Sequence, residues 1–438
     1  RTSKESEDPP RRQWDSLAFV DIYGTRCGTI NGLLDPDSSS CRAYGATLVR
    51  RLYEGAVSPA ELGDMTAKEL CPDATAAERA EIARRVGLTV QTVANITHEL
   101  EAQGFIKGSR SEPRGRGSPA TSLAINPSGA HAIGVHVTPR GLEAALVDLA
   151  GSIIAREHRA LERPGPDQTM TEIGRLAKQF GGKLKGKRML GIGMAMPGPF
   201  DVDSMSFVGP TTLEGWRGFP VLERLNRVSG LPAFIEVDHA AAALGERLHG
   251  AGKAFRDFYF LYFGVGLGGC MVHEGLPWRG SHRNAGEIGH LPLVPNGEPC
   301  PCGNRGCLER YLSLEAYGRR ATAIGREAWI SEAAPLFRNA VAAIENLFDP
   351  ETIIVGGLAD SGLLDDLIAA AQPLPNSVSQ RADREVPRLM RADSGQDGVL
   401  RGAAALAIAG VLSPRFGLLF AEGERTERDP IIAGRQVA

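Results

Sequence analysis

His290, Cys300, Cys302 and Cys307 stand in the spacing H-x9-C-x-C-x4-C, and Gly303 and Gly306 lie between the last sulfurs. Those glycines permit tight turns, so four side chains distant by sequence can converge. Three thiolates and one imidazole make a closed Cys3His set, the donor set of tetrahedral structural zinc. A disulfide pair or three buried thiols are the alternatives. Cys300 and Cys302 are too close in the chain for an unstrained disulfide. No secretory signal peptide is read at the start, so a reducing compartment is expected. Zinc in a structural role is therefore the expected cofactor, held by His290, Cys300, Cys302 and Cys307.

A second group of residues has the pattern of nucleic-acid chemistry. Ala80 to Val86 reads as a short helix, Gly87 as its left-handed stop, and Thr89 as the N-cap of a second helix, Val90 to Gln103. Ile82, Ala83, Val86, Leu88, Val93, Ile96 and Leu100 recur at helical spacing and form one apolar core. Helices joined this way make a helix-turn-helix, and the second is the recognition helix. Gln91, Thr92 and Asn95 lie near its start, where side chains reach base edges or phosphates.

Any two amphipathic helices meeting at a glycine share that pattern, so the next stretch decides. A strand begins near Gly104 to Ile106 and runs into GSRSEPRGRGSP, which brings Lys107, Arg110, Arg114 and Arg116 together with a single acid. A basic hairpin tip behind a recognition helix is a wing. Its arginines, Arg114 and Arg116 foremost, are placed to contact phosphates or a narrow minor groove. Double-stranded DNA is the expected partner.

The chain that positions these residues has 438 residues, 42% hydrophobic and 23% charged, with a formal net charge of -3. Those values suit a soluble protein of two or three domains. Net charge averages over domains and leaves room for a local basic face. No apolar run reaches the ~18 residues of a membrane helix, so no membrane partner is expected. Of seven cysteines, Cys27, Cys41, Cys71 and Cys270 are scattered and read as free thiols. A cytoplasmic location is expected.

The run AGEIGH followed by CPCGNRGCLE, with flanking features from about residue 40 to about residue 410, resembles the signature of the ROK family of repressors, open reading frames and sugar kinases. The resemblance implies that Glu287 and His290 of the E-x-x-H unit, with Glu309 after the last cysteine, hold sugar hydroxyls. The chemistry agrees: carboxylates accept hydrogen bonds from hydroxyls, and an imidazole bound to metal through one nitrogen still has the other. The resemblance also places Asp238, after the strand PAFIEV, where family kinases keep the base that takes a proton from the sugar. A plain helix N-cap is the alternative for Asp238. Val237 and Thr211 stand where the family has asparagines.

Two phosphate-binding segments depart from the family kinases. Their first strand ends in G-x-D-x-G-G-T, whereas this chain has Gly134, Val135, His136, Val137, Thr138, Pro139 and Arg140. His136 replaces the acid that organises metal and phosphate, Thr138 resists positive φ, and Pro139 has no N–H. In the second segment Gly264, Gly266, Gly268 and Gly269 remain, but Val265 replaces a hydroxyl-bearing threonine.

The expected fold class is α/β: an N-terminal winged helix-turn-helix, then a two-lobed actin-like or sugar-kinase-type (ROK) domain. Residues 1–40 are expected as a poorly ordered extension, 41–124 as the DNA-binding domain, and 125–438 as the sugar-binding domain with the zinc site in 286–309. The elements expected in that domain are a strand, a turn and two more strands from Ala132; helices at Leu312 to Gly325 and Glu332 to Phe348; and an Ala-rich helix from Val399 to Leu412 that packs the lobes together. The functional expectation is a sugar-responsive transcriptional regulator, repressor in sign and not catalytic, acting as a homodimer or homotetramer with a sugar or sugar phosphate as effector. The alternative is an ATP-dependent sugar 6-kinase carrying an extra domain, with Asp238 as its catalytic base.

Overall fold

The structure is a computed structural model and describes residues 19–20, 26–27, 90–110, 121–198, 213, 215–281, 284–381 and 383–412. Ala80 to Val86, Thr89, Arg114, Arg116 and Thr211 lie outside the described residues, as does the side chain of Thr92. Of residues 1–40 only a two-residue ladder, Phe19–Val20 with Arg26–Cys27, is described, and residues 413–438 lie outside the description altogether.

Helix α1 (Val90–Ala102) buries Val93 and Leu100 on the expected face. Gln91 and Asn95 are exposed, and Gln91 Nε2 donates to Asn95 Oδ1 at 3.0 Å. Gly104, at φ 78°, ends the helix in the left-handed region that glycine tolerates. Strand β1 (Ile106–Arg110) then pairs antiparallel with β2 (Thr121–Ile125), Ile106 opposite Ile125. The strand starts two residues later than its earliest expected position because Gly104 and Phe105 form the turn.

Two five-stranded sheets follow. The first contains β3 (His131–Thr138), β4 (Gly141–Asp148), β5 (Ile153–Ala160), β6 (Met189–Met196) and β7 (Ala233–Val237), in the order β5-β4-β3-β6-β7. The second contains β8 (Phe258–Phe263), β9 (Leu267–His273), β10 (Leu276–Pro277), β11 (Thr352–Gly357) and β12 (Leu389–Arg391), in the order β10-β9-β8-β11-β12. Each is therefore a three-stranded meander extended by two parallel strands. Such repeated α/β sheets are the actin-like, sugar-kinase arrangement expected from the motifs. The parallel strands are almost wholly buried, as strands covered on both faces must be.

Helices α2 (Pro166–Lys183) and α3 (Val221–Ser229) make the crossovers of the first sheet. Helix α4 (Asp238–His249) joins the sheets, and α5 (Leu314–Ile324), α6 (Arg326–Phe348) and α7 (Ser361–Ala370) belong to the second. The Ala-rich helix α8 (Gly398–Val411) packs between α4 and the strands β3 and β6. A Cβ on Gly402 would lie 1.7 Å from the Ala241 carbonyl oxygen, so the two helices touch backbone to backbone. Glu246 of α4 locks this packing: its carboxylate accepts from the backbone amides of Ala251, Asp393 and Ser394 at 2.7, 2.9 and 3.0 Å.

Helix α6 starts six residues before the expected Glu332 and runs through Pro335. Trp329, Ile330 and Ala333 are buried in the core of the second sheet, and Trp329 meets Tyr317 edge-on at 4.9 Å. That packing outweighs the cost of an interior proline. Helix α1 and the start of β1 pack onto the first sheet. Leu100, Phe105 and Ile106 share one apolar cluster with Ala132, Val147, Leu190, Phe234 and Leu400 of the first sheet and α8. Among the described residues no helix is long and apolar enough to cross a membrane.

Candidate metal and sugar site

The C-terminal ends of parallel strands β3, β6 and β7 share one edge of the first sheet, the edge at which α/β sheets bind ligands. Asp238 follows β7 directly. Val237, at φ -68° and ψ 146°, is the N-cap position of α4, and Asp238 is its first helical residue, accepting from the His239 amide at 2.8 Å. The N-cap alternative for Asp238 is thus off by one residue, and its carboxylate is only 15% exposed.

Glu287 approaches the same edge from a loop of the second lobe. A Cβ on Gly198, just past β6, would sit 2.9 Å from Val237 Cγ1 and 3.6 Å from Glu287 Oε1. The loop is pinned where Gly286, at φ 100°, passes Gly269: a side chain there would put its Cβ 1.7 Å from the Gly269 carbonyl oxygen. The Gly269 amide also donates to the Gly286 carbonyl at 2.8 Å.

Ile288–His290 forms a short 3-10 turn that presents His290. His290 Nε2 lies 3.9 Å from Glu287 Oε2, and Nδ1 lies 3.6 Å from Cys300 Sγ. Cys302 Sγ and Cys307 Sγ are 3.6 Å apart, and one donor atom from each of the four residues falls within 4.8 Å of the others. This cluster can hold a metal ion. Burial raises the pKa of the Cys300 and Cys307 thiols. At Cys302 burial also acts upward, but the Asn304 amide and the two neighbouring sulfurs bring its pKa down to about 7. A cation would supply the charge needed to hold all three as thiolates.

Glu309 completes the group. Its Oε1 stands 3.4 Å from Cys300 Sγ and 3.6 Å from His290 Nδ1, while Oε2 would lie 3.0 Å from a Cβ on Gly266. The carboxylate therefore rests between the sulfur cluster and the glycine turn after β8. The structure brings Glu287, His290 and Glu309 together around the cysteines and sets Asp238 at the facing strand end.

Sequence reasoning missed His239 and Tyr262. His239 is buried, with Nε2 3.2 Å from the Ala285 carbonyl oxygen and Nδ1 3.6 Å from Asp238 Oδ1. Burial opposes its charging, but hydrogen bonding to Asp238 and the fields of Glu287 and Asp238 prevail and raise its pKa. Position beside Asp238 was the available signal for His239. The Tyr262 ring lies against Gly264 and Gly357, where Cβ atoms would meet it at 2.5 and 2.9 Å.

The ROK family profile matches residues 132–409. A glucokinase of Halalkalibacterium halodurans is 34% identical over 194 residues, 43% of this chain and 58% of that one. The xylose repressor of Bacillus subtilis is 28% identical over 241 residues, 54% and 62% of the two chains, and the DNA-binding transcriptional dual regulator NagC of Escherichia coli is 29% identical over 252, 55% and 60%. The matches span about three-fifths of these relatives' length. A crystal structure of a ROK family transcriptional regulator, a homolog of the E. coli MLC protein, superposes with a TM-score of 0.65 at 20% identity over 87% of this chain and 99% of its own. A ROK hexokinase of Thermus thermophilus superposes with a TM-score of 0.52 at 26% identity over 63% of this chain and 97% of its own. Fold, motif and profile agree, and the chain belongs to the ROK family.

Proposed function

We propose that this protein is a sugar-responsive, DNA-binding transcriptional regulator with a zinc-supported effector site and no working nucleotide site. One observation carries the reading: the fold likeness to a ROK transcriptional regulator extends over 87% of the chain, whereas the likeness to the ROK hexokinase stops at 63%. Helix α1 and the hairpin β1–β2 lie before the residues that the family profile matches. As residues 41–124, that unit is a winged helix-turn-helix. Gln91, Thr92 and Asn95 then face bases, and Arg114 and Arg116 meet the DNA backbone or minor groove.

The donor set fits zinc. Zn–S bonds of about 2.3 Å in a tetrahedron put sulfurs about 3.8 Å apart, close to the 3.6 Å between Cys302 and Cys307. His290 would bind through Nδ1 and keep Nε2, on the Glu287 side, for a sugar hydroxyl. Asp238, Glu287 and Glu309 supply acceptors in different directions, which a ring of hydroxyls requires. Metal holds the wall of the pocket and takes no part in chemistry.

Binding in the cleft would be felt by α4, which begins at Asp238, and by α8, which touches α4 on one side and shares a core with Leu100 and Phe105 on the other. A shift there would re-aim α1 in a dimer and change the spacing of two recognition helices.

The runner-up reading is a sugar 6-kinase, favoured by Asp238 and by the 34% identity to a glucokinase. His136, Pro139 and Val265 weigh against it, because phosphoryl transfer depends on positioned charge and amides around ATP. Gel shifts on genomic fragments with a panel of added sugars test the proposal: DNA binding released or enhanced by one sugar supports it. Absence of any specific fragment, together with coupled-assay turnover near ~1 s⁻¹, would establish the kinase.

A further inference from the structure

Two buried polar groups at the cleft have no partner among the described residues. They are Nε2 of His136, at the end of β3, and Oη of Tyr262, at the end of β8. Both side chains are fully enclosed, and both lie in the field of the same two carboxylates, Asp238 and Glu143. Protein interiors leave few such atoms unpaired, and those that remain call for a ligand or water. One orphan comes from each sheet. Each sits where parallel strands end toward the cleft: His136 lies opposite Ala195 of β6, and Tyr262 opposite Gly356 of β11.

We propose that His136 Nε2 and Tyr262 Oη form, beside Asp238, a site spanning both lobes that takes an uncharged hydroxyl group of the effector and refuses a phosphate ester. This rests on the sugar reading above and narrows it to unphosphorylated sugars. A hydroxyl both donates and accepts, so it can donate to the Asp238 carboxylate while accepting from the phenol or imidazole. Burial keeps Tyr262 protonated and lowers the His136 pKa, so both groups are neutral near pH 7. A phosphate carries acceptors and negative charge, and here it would face two carboxylates. The cation at Glu143 is already committed: Arg156 bridges Glu143 and Asp397 at 2.9 and 2.8 Å. The Tyr262 ring meanwhile covers Gly264, a glycine of the second segment that the kinase resemblance assigns to phosphate, and Gly357 at the end of β11. Because its two donors belong to different sheets, a bound hydroxyl would also hold the lobes closed.

The test is calorimetry on the full chain as purified with zinc, using D-glucose, N-acetyl-D-glucosamine and D-xylose, and the 6-phosphates of the first two. The expected result is that a free sugar binds at least about 10-fold more tightly than its phosphate ester. Tyr262→Phe and His136→Asn should each weaken that sugar about 4- to 13-fold, within the range for one hydrogen bond. His136→Gln, whose amide reaches the Nε2 position, should stay within about 3-fold of the parent. Tyr262→Phe removes one oxygen from an intact ring, and a parental melting temperature certifies the fold. A phosphate ester that binds as tightly as the free sugar overturns the inference. So does unchanged sugar affinity in Tyr262→Phe and His136→Asn while Glu287→Ala abolishes binding, and that outcome leaves the sugar reading standing. If none of these ligands nor a wider sugar panel binds the parent protein, both readings fall.

Discussion

His239 Nε2 stands 3.2 Å from the carbonyl oxygen of Ala285, so one buried ring joins the first turn of α4 to the loop that carries Glu287. Its other nitrogen is on the Asp238 side. Two carboxylates from opposite sides of the cleft are thereby spaced by a single side chain. Gly268 and Gly286 leave room for it: Cβ atoms there would approach the ring nitrogens to 2.7 and 3.2 Å.

This arrangement gives the first prediction. His239→Phe keeps a ring in the space but loses both nitrogens, so Glu287 and Asp238 should lose their mutual placement. Sugar affinity by calorimetry is expected to fall about 10-fold, on the scale of one buried hydrogen bond left unmade. Zinc content and DNA affinity should match the parent, and His239→Gln should recover most of the affinity. Parental sugar affinity in His239→Phe would show that the ring only fills space.

Metal is the second prediction. Elemental analysis of protein purified without chelator should find one zinc per chain, and Cys302→Ser should lose it. Because Glu287 and Glu309 flank the ligands, zinc removal should abolish the sugar response while DNA is still bound. Near-zero zinc in the parent protein would remove the assignment, and an unchanged sugar response after chelation would separate metal from pocket.

How much of this was legible beforehand depended on range. The Cys3His set was legible because its residues lie close together, and a short loop with glycines has few ways to arrange them. The strand–turn–strand run from Ala132 was legible from apolar alternation, and β3 to β5 form where expected. Helix α6 was read six residues short, because its first turns are fixed by Trp329 and Ile330 packing on distant partners. Tyr262 could not be read for the same reason, and His239 had only its position beside Asp238 as a signal. The significance of each comes from Ala285, Gly264 or Gly357, neighbours in space that local periodicity does not encode.

The third prediction concerns DNA. Arg114→Ala with Arg116→Ala should weaken binding to all sequences and lower the slope of log K against log salt by up to about 2, near 0.9 for each phosphate no longer neutralised. Gln91 and Asn95 are exposed on α1 and hydrogen-bonded to each other. Replacing either by alanine should free its partner and change which sequences are preferred, rather than shift affinity uniformly. A selection experiment on randomised duplexes reads that difference. An unchanged motif from both alanine variants would take α1 out of base recognition.

The last prediction is a pH dependence set at the end of α4. His249 packs on the turn at Gly151, where a Cβ would come within 2.1 Å of the imidazole Cε1. Burial, with Lys253 and Arg401 adding like charge, lowers its pKa to about 4 from an ordinary 6.5. The neutral ring is therefore the folded form, and the unfolded chain binds the extra proton between those two values. Stability from this group is fully present above about pH 6.5 and is lost as pH falls toward 4. Between pH 7.5 and 5.0 the loss should be about 2 kcal/mol for a shift of this size. Carboxylates and metal ligands also respond to acid, so the useful quantity is the difference between parent and His249→Gln. Urea unfolding at both pH values should show a loss of stability smaller by about 2 kcal/mol in the variant, which cannot take up the proton. Equal losses in the two proteins would place the acid sensitivity elsewhere.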